Sequence, residues 1–262
     1  MTDRRRRQKE QRAAKLEAEK KQTARRELWR RLGTALVFGA LVVAVLALGA
    51  FLGDDEGDLP QGYSGFRNQP TACGAEQPPE EEVFQFTEPE PQADITADSE
   101  VTATLETSCG QIVLRLDPAG APETVNSFVF LAREGFYDGQ VVHRVVEDFK
   151  VQTGDPMADG SGGPGYEIPD EFPAEDFIYE PGVVAMDNRG KGTTGSQFFI
   201  VTGEGAATLN PLFNVLGEVV SGQETLELIA EVETATRPGT REKSLPLETV
   251  YIESVTIDVT GS

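Results

Sequence analysis

The sequence predicts a mainly β domain, a closed antiparallel barrel capped by two α-helices, preceded by a single transmembrane helix and a disordered linker. Three observations predict it. From Val101 onward, short runs rich in β-branched and aromatic residues alternate with turn residues, without the strand–helix alternation of a parallel sheet. Two separated stretches in that region change to a helical period. Upstream, Leu32 to Gly53 gives 22 residues without a charge.

Taken in order, residues 1–31 form a basic head with 13 Lys/Arg against 5 Asp/Glu. Its composition favours a helix, solvated or lying on the membrane surface. The apolar run at 32–53 would make a helix about 33 Å long at 1.5 Å per residue, enough to span a hydrocarbon core. Bases precede it, and Asp54, Asp55, Glu56 and Asp58 follow. The positive-inside rule therefore places the N-terminus in the cytosol and the rest outside the plasma membrane. A cleaved signal peptide is the competing reading, but both the run and the basic head are long for one.

Residues 54–100 change composition again. From Gly53 to Glu100, 13 acidic residues and 6 prolines accompany one base, Arg67. Such a segment is expected to stay an extended, self-repelling linker, with Glu82 to Phe86 as a stretch able to lie against the folded body. The chain's 2 cysteines, Cys73 and Cys109, suit a disulfide pinning linker to body outside the cytosol. Two free thiols are the alternative.

In the body, Val101–Thr107 and Gln111–Asp117 flank Ser108-Cys109-Gly110, which predicts a hairpin or tight corner. Residues 121–137 then change period. Val125, Phe128, Val129 and Leu131 share a helical face, Glu123 sits in the first turn and Gly135 lies beyond the end. Strand-like runs follow around residues 140–146, 149–154, 182–188, 196–202 and 213–220. A second amphipathic helix is expected over 222–235, and a closing strand over 247–259.

Several chemistries are disfavoured. Beyond residue 31 the chain has 10 Lys/Arg against 39 Asp/Glu, which argues against nucleic acid as a partner. The glycines of Asn188–Gly203, "NRGKGTTGSQFFIVTG", miss the spacing of a phosphate loop: Lys191 is followed by Gly192, and a strand-like run follows instead of a helix. His143 is the chain's only histidine, so neither a metal site nor a serine triad is expected. It reads as structural.

What remains is an ordered set of segments: "HRVVEDFKVQTGD", "AMDNRGKGTTGSQFFIVT" and "TLNPLFNVLGEV". Together they resemble the cyclophilins, peptidyl-prolyl cis-trans isomerases built on an eight-stranded barrel. The resemblance covers about residues 101–260 and identifies 101–262 as an isomerase domain needing no cofactor or metal. It implies proline-containing polypeptides as substrates, and a monomer is expected. The glycine-rich stretch then resembles a rim loop that approaches a peptide.

Rotation about a Xaa-Pro bond moves no proton and breaks no bond. Its barrier of about 18–20 kcal/mol comes from amide resonance, and a turnover of about 10³ s⁻¹ requires removing about 6–7 kcal/mol of it. A guanidinium donating to the prolyl nitrogen, with an apolar pocket holding the ring, would bind the twisted amide better than the planar one. The resemblance assigns these roles to Arg144 and to Phe149, Phe199 and Leu209, with Gln152 supporting the arginine. Asn188 and Gln197 match peptide-contacting positions. Lys150 stands where the family usually has methionine, Asp187 where it has a small residue, Thr208 where many members have tryptophan and Phe213 where many have histidine. Lys150 and Asp187 favour an alternative, a non-catalytic proline-reading module. Intact Arg144 and Gln152 favour the enzyme.

Overall fold

The computed structural model describes residues 59–80 and 84–261. Residues 58–262 cluster as one compact unit. The expected transmembrane segment at 32–53 and the basic head lie outside the described residues, among which no helix is long and apolar enough to cross a membrane.

The body begins with β1 (Glu100–Thr107), whose alternate residues are buried, and β2 (Gly110–Leu116). They form the expected hairpin, with Thr107 paired to Gly110 across Ser108 and Cys109. Gly110 has φ +129°, a left-handed value that glycine tolerates best. The helix α2 (Pro122–Arg133) follows, with Pro122 in its first turn and Val125, Phe128, Val129 and Leu131 fully buried. Its N-terminal N–H groups are satisfied from a distance: Glu171 accepts from the amides of Glu123 and Thr124 at 3.0 and 2.8 Å.

The remaining strands are β3 (Arg144–Val146), β4 (Lys150–Thr153), β5 (Val183–Met186), β6 (Phe198–Val201), β7 (Val215–Ser221) and, at the end, β10 (Ile252–Thr260). The eight-stranded sheet runs β10-β1-β2-β7-β5-β6-β4-β3, antiparallel throughout. It curls around a core in which Phe128, Tyr137 and Phe198 meet with ring centroids 5.0 to 5.6 Å apart. The sheet is not the closed ladder expected. β3 is only three residues long and does not pair with β10. The two ends meet just ahead of those strands, at the Val141–Tyr251 bridge, with the Val142 amide donating to Val250 at 2.8 Å.

Two further expectations are corrected. The second helix of the body, α3 (Gln223–Ala230), ends earlier than expected, because residues 234–236 pair with another strand. That pairing is a hairpin of β8 (Thr234–Thr236) and β9 (Lys243–Pro246), which the helical period hid. The described part of the linker is not free either. It carries a short helix, α1 (Gly62–Arg67), and Tyr63 and Phe66 are buried against Val141, Leu245 and Tyr251. Thr71 bridges Thr249, and Cys73 is bonded to Cys109 at the β1–β2 turn. Phe86 lies on the body as expected, edge-on to Phe130 at 5.0 Å.

Candidate functional site

The site is laid out by strand register. Arg144 on β3 lies opposite Gln152 on β4, and Gln152 lies opposite Phe199 on β6. Facing positions on adjacent strands bring side chains within reach. Arg144 Nη1 donates to Gln152 Oε1 at 3.0 Å. The amide of Gln152 in turn donates to Gln197 Oε1 at 3.0 Å and to Asp187 Oδ2 at 3.1 Å. Gln152 is thus held at both ends, and it couples the arginine to the opposite wall.

Beside this polar row lies an aromatic patch. Phe199 is fully buried with Tyr179, Ala185, Val201 and Ala206, and Phe149, Leu209 and Phe213 pack half-buried against them. Phe199 and Phe213 meet edge to face at 5.4 Å. Tyr179, not singled out in the sequence, fixes this corner: its hydroxyl donates to the Phe213 carbonyl at 2.9 Å, and burial raises its pKa. Thr208 is exposed at the end of a 3₁₀ turn.

Lys150 runs beneath this patch. Its side chain is 4% exposed, and Nζ lies 3.1 Å from Asp187 Oδ1 and 4.1 Å from the Phe199 ring centroid. Burial lowers its pKa, an effect opposed first by the charge of Asp187. The two residues set apart by sequence as departures are therefore partners. The carboxylate neutralises the ammonium that enters an otherwise apolar wall, and the ring face adds a cation–π contact.

His143 is buried, and neither ring nitrogen has a hydrogen-bond partner among the described residues. Burial, followed by the charges of Arg237, Arg144 and Lys150, pulls its pKa down to about 3. It is neutral at ordinary pH and turned away from a proton-transfer role, as expected of a structural residue. Asn188 stands apart from the Arg144 network. Its amide donates to the Leu212 carbonyl at 2.8 Å, and its oxygen accepts from the Gly190 amide at 3.1 Å. It helps line a groove of about 460 Å³ with Gln85, Gly162, Asp187, Arg189 and Gln197. The glycine-rich stretch contributes Arg189, Thr193 and Gly195 to that groove, turns at Gly190 and Gly192 with φ +128° and +72°, and leads into β6 without a helix.

Sequence reasoning missed Glu242, which lies in the β8–β9 loop. Arg144 Nε donates to Glu242 Oε1 at 2.8 Å and Nη2 to Oε2 at 2.6 Å. The hydrogen bond from Arg144 is the main cause that holds the Glu242 carboxyl down at a pKa of about 2. The partners are 98 residues apart, so no local pattern could have paired them.

Comparisons with known proteins agree with one another. The family model described as "Cyclophilin type peptidyl-prolyl cis-trans isomerase/CLD" matches residues 102–257. Peptidyl-prolyl cis-trans isomerase B of Streptomyces anulatus is 41% identical over 173 residues, covering 60% of this chain and 95% of that protein. Peptidyl-prolyl cis-trans isomerase A of Mycobacterium tuberculosis is 41% identical over 171 residues, covering 60% and 91%. The crystal structure of a cyclophilin-type isomerase of Cryptosporidium parvum superposes with a TM-score of 0.54 at 25% identity, covering 62% of this chain and 99% of that one. A structure of the same protein in the presence of the dipeptide Ala-Pro gives 0.54 at 26% identity, covering 60% and 98%.

Proposed function

The chain belongs to the cyclophilin-type peptidyl-prolyl cis-trans isomerases, and from that membership we propose that Arg144, Phe149, Gln152 and Phe199 carry its isomerisation of Xaa-Pro bonds. The observation that carries this reading is the register that puts Arg144, Gln152 and Phe199 on three neighbouring strands, with the guanidinium tied to Gln152 at 3.0 Å. Phe149, Phe199, Leu209 and Phe213 receive the proline ring. Arg144 donates to the prolyl nitrogen as that atom loses conjugation with its carbonyl. A lone pair withdrawn from resonance is a better acceptor than a conjugated one, so the bond strengthens in the transition state and lowers the rotational barrier. Gln152 holds the guanidinium, Gln197 and Asn188 guide the peptide along the groove, and Lys150 with Asp187 forms one pocket wall. No proton moves, which suits a site whose only histidine is kept neutral.

The finer assignments belong to the same proposal. Residues 32–53 anchor the protein in the plasma membrane with residues 1–31 in the cytosol, and the isomerase acts on proteins folding outside that membrane. The charge asymmetry about the apolar run supports this orientation, and the Cys73–Cys109 disulfide suits an oxidising compartment. The catalytic unit works as a monomer, because one chain supplies the whole site.

The test is cis-to-trans relaxation of a Xaa-Pro peptide with the wild type and Arg144→Ala. The expected result is a fall in kcat of about 100-fold with peptide affinity kept within a few-fold. Unchanged turnover in Arg144→Ala would sink the assignment.

A further inference from the structure

We infer that Glu242 is a positioning residue for the isomerisation, one that fixes the plane of the Arg144 guanidinium so that its remaining donors face the prolyl nitrogen. This rests on the reading of Arg144 given above. A guanidinium has five N–H donors in a rigid fork. Glu242 takes one on Nε and one on Nη2, at 2.8 and 2.6 Å, and Gln152 takes one on Nη1 at 3.0 Å. One N–H is left on each terminal nitrogen. A two-point carboxylate contact sets both the position and the tilt of the group, which a single bond to a neutral amide cannot do.

The carboxylate is itself held in place. The β8–β9 loop closes on itself through the Arg237 amide, which donates to the Glu242 carbonyl at 2.9 Å. The Arg237 side chain donates from Nη2 to the carbonyl of His143 at 2.8 Å. The loop is thus fastened to the residue beside Arg144 as well as to Arg144 itself. Glu242 is 37% exposed at its side chain and Arg144 24%, so the pair contributes little to bulk stability. Its effect is on geometry.

Two effects of Glu242 oppose each other. Its charge reduces the net positive potential at the prolyl nitrogen, while its two contacts keep the donors aligned. Alignment dominates, because a displacement of about 1 Å at a reacting group can cost about 100-fold in rate.

The experiment uses the full-length chain with Glu242→Ala, Glu242→Gln, Arg144→Ala and the Arg144→Ala/Glu242→Ala pair. It measures relaxation of a Xaa-Pro peptide, binding of that peptide and thermal unfolding. Glu242→Ala should lower kcat about tenfold while KM stays within about twofold, the rate being set by donor alignment. Glu242→Gln, which keeps the shape and one acceptor, should recover part of the loss. In the Arg144→Ala background, Glu242→Ala should change nothing further. Unchanged or raised kcat in Glu242→Ala, with Arg144→Ala slowed about 100-fold, would overturn the inference alone. An equal loss in both backgrounds would also overturn it, assigning Glu242 a role in the fold. Full turnover in Arg144→Ala would remove the underlying reading and this one with it.

Discussion

Lowering the pH from 7 to 5 should cost the wild-type protein about 2 kcal/mol more stability than it costs a His143→Leu variant. The imidazole is 1% exposed, unpartnered at both nitrogens and surrounded by Arg237, Arg144 and Lys150, with Asp159 the opposing charge. Burial and these cations hold its pKa at about 3 in the folded protein, against 6.5 for a free histidine. The folded pKa is depressed, so the unfolded chain binds the proton first as pH falls. Stability is complete above about pH 6.5 and drains at about 1.4 kcal/mol per pH unit toward pH 3. From pH 7 to 5 the loss from one such group is about 2 kcal/mol, and most carboxylates stay ionised across that interval. The chain has no other histidine to blur the result. Urea unfolding of both proteins at pH 7, 6 and 5 gives the difference, and NMR of the single imidazole gives the pKa directly. Parallel losses in the two proteins, or an imidazole titrating near 6.5, would refute the reasoning.

Two other perturbations test the packing. Cys73→Ser with Cys109→Ser removes a cross-link between residues 36 apart, a loss of about 4 kcal/mol at most in the chain-entropy model. A urea midpoint equal to that of the wild type would show that the buried aromatics of α1 hold the segment unaided. Asp187→Ala strands an ammonium whose side chain is 4% exposed and should cost roughly 3 kcal/mol. Adding Lys150→Met should restore most of it, so additive effects on thermal unfolding would show that the two residues are not coupled.

Most of the body could be read from sequence because its signals are local. Strand β1 alternates buried and half-buried positions, and α2 buries the face carrying Val125, Phe128 and Leu131, so each period reports its own surroundings. The motif residues Arg144, Gln152 and Phe199 were recognisable as a set, and the register accounts for their spacing. What escaped depends on distant partners. Glu242 looks like any charged loop residue until β9 carries it to Arg144. Thr234–Thr236 continues an apparently helical stretch, and its pairing with Lys243–Pro246 overrides that local preference. Lys150 and Asp187 were each legible as a departure, but their ion pair required the sheet to bring β4 and the end of β5 within reach from either side of β6.

The N-terminal segment shows why composition misled there. Its acidic, proline-rich sequence cannot build a core of its own, yet Tyr63 and Phe66 need only a surface already made by the body. Val141, Leu245 and Tyr251 supply it. The family match begins at residue 102, so this packing adds a layer outside the matched domain. The layer is pinned at the Cys73–Cys109 bond and at the Thr71–Thr249 bridge. Leu245, which it covers, belongs to the same hairpin strand that follows Glu242, and Val141 lies just ahead of His143 and Arg144. The added segment thus packs close in sequence to both Arg144 and Glu242, although none of the residues of α1 enters the site. The same two aromatics, Tyr63 and Phe66, pack on Leu245 of β9, three residues past Glu242, and on Val141, three residues before Arg144.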